Sequence, residues 1–198
     1  MQEVENRKET KKRILELWNS IERPGKERVV EFLESSDFFD APSSTQYHMC
    51  LIGGLAQHSL NVYDVLKRKV AEYGITYLED TLIVTALAHD LCKVNFYILG
   101  EKNVKDATTD WQWRKKEIWN VEDQFPMGHG EKSLTILQDM IGLYPAEKLA
   151  IRWHMGLTTP GVVTDYPTKC AYDAATKEIL VPLLQLADTE ATLLLERE

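Results

Sequence analysis

The residues with the clearest chemical potential are a His-Asp pair, His89 and Asp90, at the end of the apolar run TLIVTALA. The helical spacing of the apolar residues predicts a buried helix. A buried imidazole and carboxylate are costly unless they are paired, hydrogen-bonded or bound to metal. Adjacent helical residues point about 100° apart, so both side chains can hold one ligand only at a distorted or widened helix end. The pair therefore indicates a metal site at such an end.

Other potential ligands share this placement beside apolar helices. Four of the five histidines lie on or next to predicted helices, and an aspartate stands within an otherwise apolar one. Each alone is also typical of a satisfied core histidine, a helix cap or a solvated carboxylate, and spacing alone does not prove that they converge. Imidazole and carboxylate groups suit one or two ions such as Mn, Fe, Co, Ni or Zn. The candidates are His58, His89, Asp90, His129, His154 and Asp188.

The elements that must position these residues are mostly helical. Apolar residues at helical spacing predict helices over 5–21, 26–33, 55–73, 78–91, 130–141, 146–155 and 177–195. Residues 35–47 and 156–168 are turn-rich and predict loops. Residues 95–126 are polar and contain three tryptophans in short alternating runs, which indicate a β-hairpin or an ordered loop. We therefore expect an all-α bundle with a small insertion around 95–126.

Composition narrows the class of protein. A chain of 198 residues, 44% hydrophobic and 27% charged, fits one soluble domain. No apolar run reaches the ~18 residues of a membrane helix, and the charged N-terminus lacks the apolar core of a signal peptide. Three widely spaced cysteines suit reduced thiols, so we expect a cytoplasmic protein. A net charge of −8 argues against a long nucleic acid as the main partner, although a local basic groove could override the total.

The order of the candidate ligands resembles that of the HD-domain superfamily of metal-dependent phosphohydrolases. The segments GGLAQHSLNV, LAHDLCKV, GHGEKS, WHMG and LADTEA resemble the motifs of that family and span about Gly53 to Thr192. Cys92 stands where the common form HD-x-G-K has glycine. The resemblance implies a helical bundle in which 1–198 form a single HD domain, with 1–47 as an N-terminal helical extension.

The resemblance also implies the roles of the ligands. His58, His89, Asp90 and Asp188 would form the core metal site, with Asp90 bridging to a second ion. His129 and His154 match the further histidines of dinuclear members. The cofactor would be one or two divalent ions among Fe, Mn, Co, Ni, Zn and Mg.

The expected activity is hydrolysis of a nucleotide or of a small phosphate monoester or diester by a metal-activated water. Asp90 and Lys93 would be catalytic, since a lysine three residues after Asp90 would contact a phosphate oxygen and neutralise developing charge. Lys132 and Arg152 are weaker candidates for phosphate contact. The tryptophans of 95–126 are expected to pack within a hairpin, with stacking on a base as the alternative. The sequence indicates neither the substrate nor the oligomeric state.

Three other functions stay open. A diiron oxygenase of a small polyol or phosphonate uses the same ligand set, and a regulatory domain would hold metal without turnover. Residues 38–60 resemble the start of the HD domain in a bacterial 3′-to-5′ exoribonuclease, but too few residues precede them for its OB domain, and His48 there is expected to be structural. The cyclic-dinucleotide phosphodiesterase branch is disfavoured, because Met155 follows His154 where that branch usually has a second histidine.

Overall fold

A computed structural model describes residues 2–106, 111–157 and 165–196. The described residues form mostly helices together with a two-stranded antiparallel sheet, which confirms the predicted helical class and the predicted insertion. They also include a 3₁₀ turn, Leu91–Lys93, and a π-helical turn, Ala191–Leu195. The helices are α1 Arg7–Ser20, α2 Lys26–Ser35, α3 Gly54–Glu72, α4 Glu79–Ala88, α5 His129–Gln138, α6 Pro145–Arg152, α7 Tyr166–Ala175 and α8 Leu180–Glu190, and the strands are β1 Tyr97–Asp106 and β2 Gln112–Val121.

Helix α3 lies at the centre of the bundle and packs against α4, α8 and α1. Its apolar side chains recur at helical spacing, and Leu55, Val62 and Leu66 are fully buried. Helix α4 has no exposed face, since every residue from Thr81 to Ala88 is buried. His58 on α3 and His89 at the end of α4 therefore both lie inside the core.

The N-terminal helices pack into the same core. Ile14 and Trp18 of α1 are fully buried. Arg23 donates two hydrogen bonds to the buried carboxylate of Glu147 on α6, at 2.7 and 2.9 Å. This two-point contact ties the segment after α1 to the far side of the bundle.

The two strands form the predicted hairpin, in register from Tyr97 opposite Val121 to Asp106 opposite Gln112. Lys102 lies directly opposite Lys116, so the two lysines share one face of the hairpin. A groove of about 1090 Å³ separates that face from residues 45–51 and is lined by both lysines and by Arg114. The acidic chain thus carries a local basic groove.

The elements differ from the sequence prediction at several helix ends and at α7. Helix α4 ends at Ala88 instead of 91, α5 at Gln138 instead of 141 and α6 at Arg152 instead of 155, and α8 begins at Leu180 instead of 177. Helix α7 was predicted as loop or left unassigned; Asp165 caps it by accepting a hydrogen bond from the Thr168 N–H at 2.8 Å. Residues 158–164 of the predicted loop lie outside the described residues. In the described ranges, no helix has the length and apolarity needed to cross a bilayer.

Candidate metal centre

The end of α4 brings His89 and Asp90 to one point. The α-helix stops at Ala88, and Asp90 takes a φ of −108° before the 3₁₀ turn begins. The change of backbone geometry places His89 Nε2 3.4 Å from Asp90 Oδ2, and both residues are buried. The pair thus lies where the α-helix gives way to another backbone geometry, and its sharing of one ligand stays a prediction.

Two further donors, one from α3 and one from α8, lie beside this pair. His58 Nε2, from α3, lies 3.5 Å from Asp90 Oδ2. It also lies 3.3 Å from Asp188 Oδ1, from α8. We call His58, His89, Asp188 and the Oδ2 side of Asp90 cluster A.

Three separations within cluster A are compatible with donors that share one ion. Donor atoms that each lie about 2.0–2.2 Å from one ion are separated by about 3–3.6 Å at octahedral to tetrahedral angles. The separations of 3.3–3.5 Å fall in that range.

Within the part of the chain that the structure describes, two buried histidine nitrogens have no hydrogen-bond partner. His89 Nδ1 lies 2.7 Å from the Ala86 carbonyl oxygen, and His154 Nδ1 lies 2.8 Å from that of Ile151. Donation from Nδ1 to a carbonyl leaves Nε2 as a lone-pair donor. In both rings Nε2 is buried and has no hydrogen-bond partner among the described residues, so a bound cation would satisfy it.

A second group of donors lies near Oδ1, the other carboxylate oxygen of Asp90. Oδ1 is 3.5 Å from His154 Nε2 and 3.8 Å from the Cys92 sulfur. The Cys92 sulfur is in turn 3.4 Å from Nδ1 of His129, the first residue of α5. We call His129, His154, Cys92 and the Oδ1 side of Asp90 cluster B. Asp90 therefore stands between two groups of donors, as a bridging ligand would.

The electrostatics of cluster A favour a cation. Burial would lower the pKa of His58, but hydrogen bonds to Asp188 and Glu196 outweigh it and raise that pKa to about 10. Burial would raise the pKa of Asp188, but its hydrogen bond and charge interaction with His58 lower it. In the same way Lys93 and His89 hold the pKa of Asp90 well below its ordinary value against the effect of burial. The carboxylates stay charged at neutral pH and attract positive charge.

Glu196 is a site residue that sequence reasoning missed. Its carboxylate oxygens both lie 3.0 Å from His58 Nδ1, and one accepts a hydrogen bond from the Asn61 amide at 2.9 Å. A carboxylate on the outer nitrogen of a metal-binding histidine orients the ring and raises its basicity. The only signal in the sequence is the spacing of Glu196 from Asp188, two helical turns along.

His48 lies beside cluster A without joining it. Its ring centroid is 5.0 Å from that of His58, and its Nε2 is 3.1 Å from the Ser43 hydroxyl. Burial, together with the charges of His58 and Lys93, lowers the pKa of His48 to about 4. One of its nitrogens could complete a donor group with His58 and Glu196. The expectation of a structural role stays a prediction.

The predicted substrate-binding cations differ in their surroundings. Lys93 Nζ lies 2.7 Å from Asp90 Oδ2, beside both clusters. Lys132 is buried and donates to Asp123 at 2.6 Å, and Arg152 pairs with Glu131. Lys132 and Arg152 thus already have carboxylate partners, and their contact with substrate stays a prediction.

Comparisons of the chain with family models, with characterised proteins and with solved structures find no match. What the structure itself shows is a set of buried histidine, aspartate and cysteine side chains that could hold a metal ion.

Proposed function

We propose that this chain is an HD-type, metal-dependent phosphohydrolase that acts on a nucleotide or on a small phosphate monoester or diester. The observation that carries the proposal is the position of Asp90, whose Oδ2 faces cluster A and whose Oδ1 faces cluster B. One carboxylate between two donor groups is the arrangement that two-metal hydrolysis requires.

The donors fit divalent ions by spacing and by type. Cluster A offers two imidazole nitrogens and two carboxylate oxygens, and the unsatisfied His89 Nε2 is among them. Ions bound there would act as Lewis acids on a phosphoryl group and lower the pKa of a bound water. The protein contributes a fixed arrangement of ligands, because each ring is locked by a hydrogen bond on its other nitrogen or by burial.

Lys93 is the residue best placed to act on a phosphate. Its ammonium group contacts Asp90 Oδ2, and its side chain is 13% exposed, so it lines the site without being sealed. The carboxylate of Asp90 raises the pKa of Lys93 against the effect of burial, which keeps the ammonium charged. A fixed positive charge beside the reacting group stabilises charge that develops in the transition state.

Tyr97 closes the site on the hairpin side. Its hydroxyl lies 3.4 Å from the Ser43 carbonyl oxygen, to which it donates. Burial raises the pKa of Tyr97 to about 12, although the charge of Lys93 acts in the opposite direction. Tyr97 therefore stays neutral at physiological pH, and its one O–H proton is engaged by the Ser43 carbonyl oxygen.

The test is a substrate screen on metal-free protein reloaded separately with Mn, Fe, Co, Ni, Zn and Mg. The substrates are nucleoside mono-, di- and triphosphates, phosphodiesters and short single-stranded oligonucleotides, with product formation followed by chromatography. Turnover that disappears in Asp90→Ala supports the proposal. Oxygen uptake by the iron-loaded protein with a polyol or phosphonate would instead identify an oxygenase. Metal binding without turnover on any substrate would identify a regulatory domain.

A further inference from the structure

We propose that Cys92 is a metal ligand, so that cluster B is a thiolate-containing site for a borderline-soft divalent ion such as Zn²⁺, Co²⁺ or Fe²⁺. The inference rests on the two-ion site of the proposed function but not on its reaction. It makes the two ion sites different in kind, since cluster A contains only nitrogen and oxygen donors.

The position of the sulfur carries the first part of the argument. Cys92 Sγ lies 3.4 Å from His129 Nδ1 and 3.8 Å from Asp90 Oδ1. Bonds of about 2.3 Å to sulfur and 2.0–2.1 Å to nitrogen or oxygen separate such donors by about 3.5 Å at a tetrahedral angle. The two sulfur distances are thus close to those expected around one ion, and the ligand atoms of all three residues lie within 4.8 Å of one another.

A second observation points to an ion at the same place. His154 Nε2 is buried, has no hydrogen-bond partner in the described ranges, and lies 3.5 Å from the same Asp90 Oδ1. A buried, unsatisfied imidazole nitrogen needs a partner. His154 therefore marks the Oδ1 side of Asp90 as a place for a cation, beside the group formed by Asp90, Cys92 and His129.

The backbone holds the thiol in place. The Cys92 N–H donates to the Ser133 hydroxyl at 2.9 Å, and Ser133 is fully buried on α5. His129 begins the same helix. The turn that carries Cys92 is thus fixed to the helix that carries His129. A glycine could form this turn equally well but would supply no donor atom.

The donor type predicts metal preference. Thiolate ligands favour Zn²⁺ and other borderline or soft ions, whereas Mg²⁺ and Mn²⁺ prefer carboxylate and water oxygens. Cluster B should therefore bind Zn²⁺ or Co²⁺ in preference to Mg²⁺ or Mn²⁺. Replacement of Cys92 should reduce that preference.

The experiment is spectroscopic and needs no substrate. Metal-free, reduced protein is titrated with Co²⁺ under anaerobic conditions, and the near-ultraviolet sulfur-to-cobalt charge-transfer band is recorded for each equivalent bound. We expect the band in the wild type, its loss in Cys92→Ser and Cys92→Gly, and its retention in Cys50→Ser and Cys170→Ser. The affinity of the second equivalent should fall at least about tenfold in Cys92→Ser, comparable to the loss of a supporting contact to a ligand.

Two results would overturn the inference: absence of the band in wild-type protein that holds two cobalt ions, or its persistence in Cys92→Gly. Because the Cys92 variants could fail to fold, X-ray absorption on the wild type provides an independent measurement. A sulfur neighbour at about 2.3 Å from the ion supports the proposal, and a shell of nitrogen and oxygen alone rejects it. Detection of a sulfur ligand without turnover on any substrate would contradict the proposed hydrolase activity and support the role of Cys92. Turnover by a two-ion protein that has no sulfur ligand would support the hydrolase activity and contradict the role of Cys92.

Discussion

His58 Nδ1 lies 3.0 Å from both carboxylate oxygens of Glu196, although the two residues stand 138 positions apart in the chain. The contact is buried and directs the other nitrogen, Nε2, toward Asp90 and Asp188. It joins the C-terminal π-helical turn to the central helix α3. Glu196 is thus a positioning residue for cluster A.

Glu196→Gln should weaken metal binding at cluster A. The amide keeps the shape of the side chain but removes the charge that makes His58 a stronger donor, and loss of such a contact typically lowers affinity about 10–100-fold. Competition with a chelator measures the change. Glu190→Gln is the matched control, because Glu190 lies near the end of α8 and pairs with Arg68 and Lys69 instead of the site. Equal losses in both variants would contradict the role given to Glu196.

Asp90→Ala should remove both ions, whereas His129→Ala should remove at most the one at cluster B. The reason is that Asp90 offers an oxygen to each cluster, while His129 is near cluster B alone. Elemental analysis of the two purified variants decides this. Equal metal loss in the two would mean that the clusters do not bind ions independently.

Lys93→Met should lower turnover while metal content stays intact, because Lys93 contacts the Asp90 carboxylate as an ion pair and is not a ligand. Methionine keeps most of the aliphatic packing and removes the charge. Loss of one electrostatic contact to the transition state costs about 10²–10³-fold in kcat. Kinetics on the substrate found by the screen distinguish this from simple binding, which would raise KM and leave kcat unchanged. If neither constant moves, Lys93 has no part in the reaction.

Stability should respond to pH in opposite ways with and without metal. In the metal-free chain the pKa of His58 is raised from 6.5 to about 10, so its stabilisation is complete below pH 6.5 and is lost as the pH rises through about 10. The pKa of Glu196 is lowered from 4.5, so its contribution is present above that pH and lost in acid. With respect to this pair, the metal-free protein is most stable between about pH 4.5 and 6.5.

Metal binding reverses the trend on the alkaline side, because His58 must lose its proton to become a ligand. The difference in Tm between loaded and chelated protein should therefore grow from about pH 6 to about pH 9. Thermal unfolding at a series of pH values, with metal or with chelator, measures it. His58→Gln should flatten both curves. A chelated wild type that gains stability over the same range would contradict the assignment.

Lys102→Glu should stabilise the hairpin and weaken substrate binding. Lys102 and Lys116 are directly opposed, so the substitution exchanges a repulsion for an attraction worth about 0.2–1 kcal/mol. Hydrogen exchange of the hairpin amides reports the gain. If the basic groove guides phosphate toward the site, KM should rise while kcat is unchanged. Lys105→Glu is the control, since Lys105 lies over the Trp113 ring on the opposite face; an equal rise in KM there would exclude a specific role for the groove.

The helical elements and much of the site could be predicted because the signals are local. An imidazole or carboxylate within an apolar helical run is conspicuous, and the structure brings His58, His89, Asp90 and Asp188 into contact from three elements. The distortion at the end of α4 followed from the angle between adjacent helical residues.

The rest depended on contacts between distant segments. Glu196, near the end of the described chain, resembles an ordinary solvated acid until α8 packs against α3. From the sequence, Cys92 is notable only because it stands where the HD motif usually has glycine. Its contact with His129 depends on the packing of α5, which no local pattern indicates. The sequence makes Lys132 a candidate for substrate contact. Only the fold shows that its ammonium group already donates a hydrogen bond to Asp123.

The join between α3 and the C-terminal turn also sets an order of events during synthesis. His58 leaves the ribosome long before Asp188 and Glu196, its partners in the folded chain. A nascent chain can bury α3 against α4, yet the imidazole then lacks the carboxylates that charge and orient it. Cluster A cannot hold its ion tightly until α8 has been made and has docked. An ion at cluster A would therefore be bound only after α8 and Glu196 have joined the bundle.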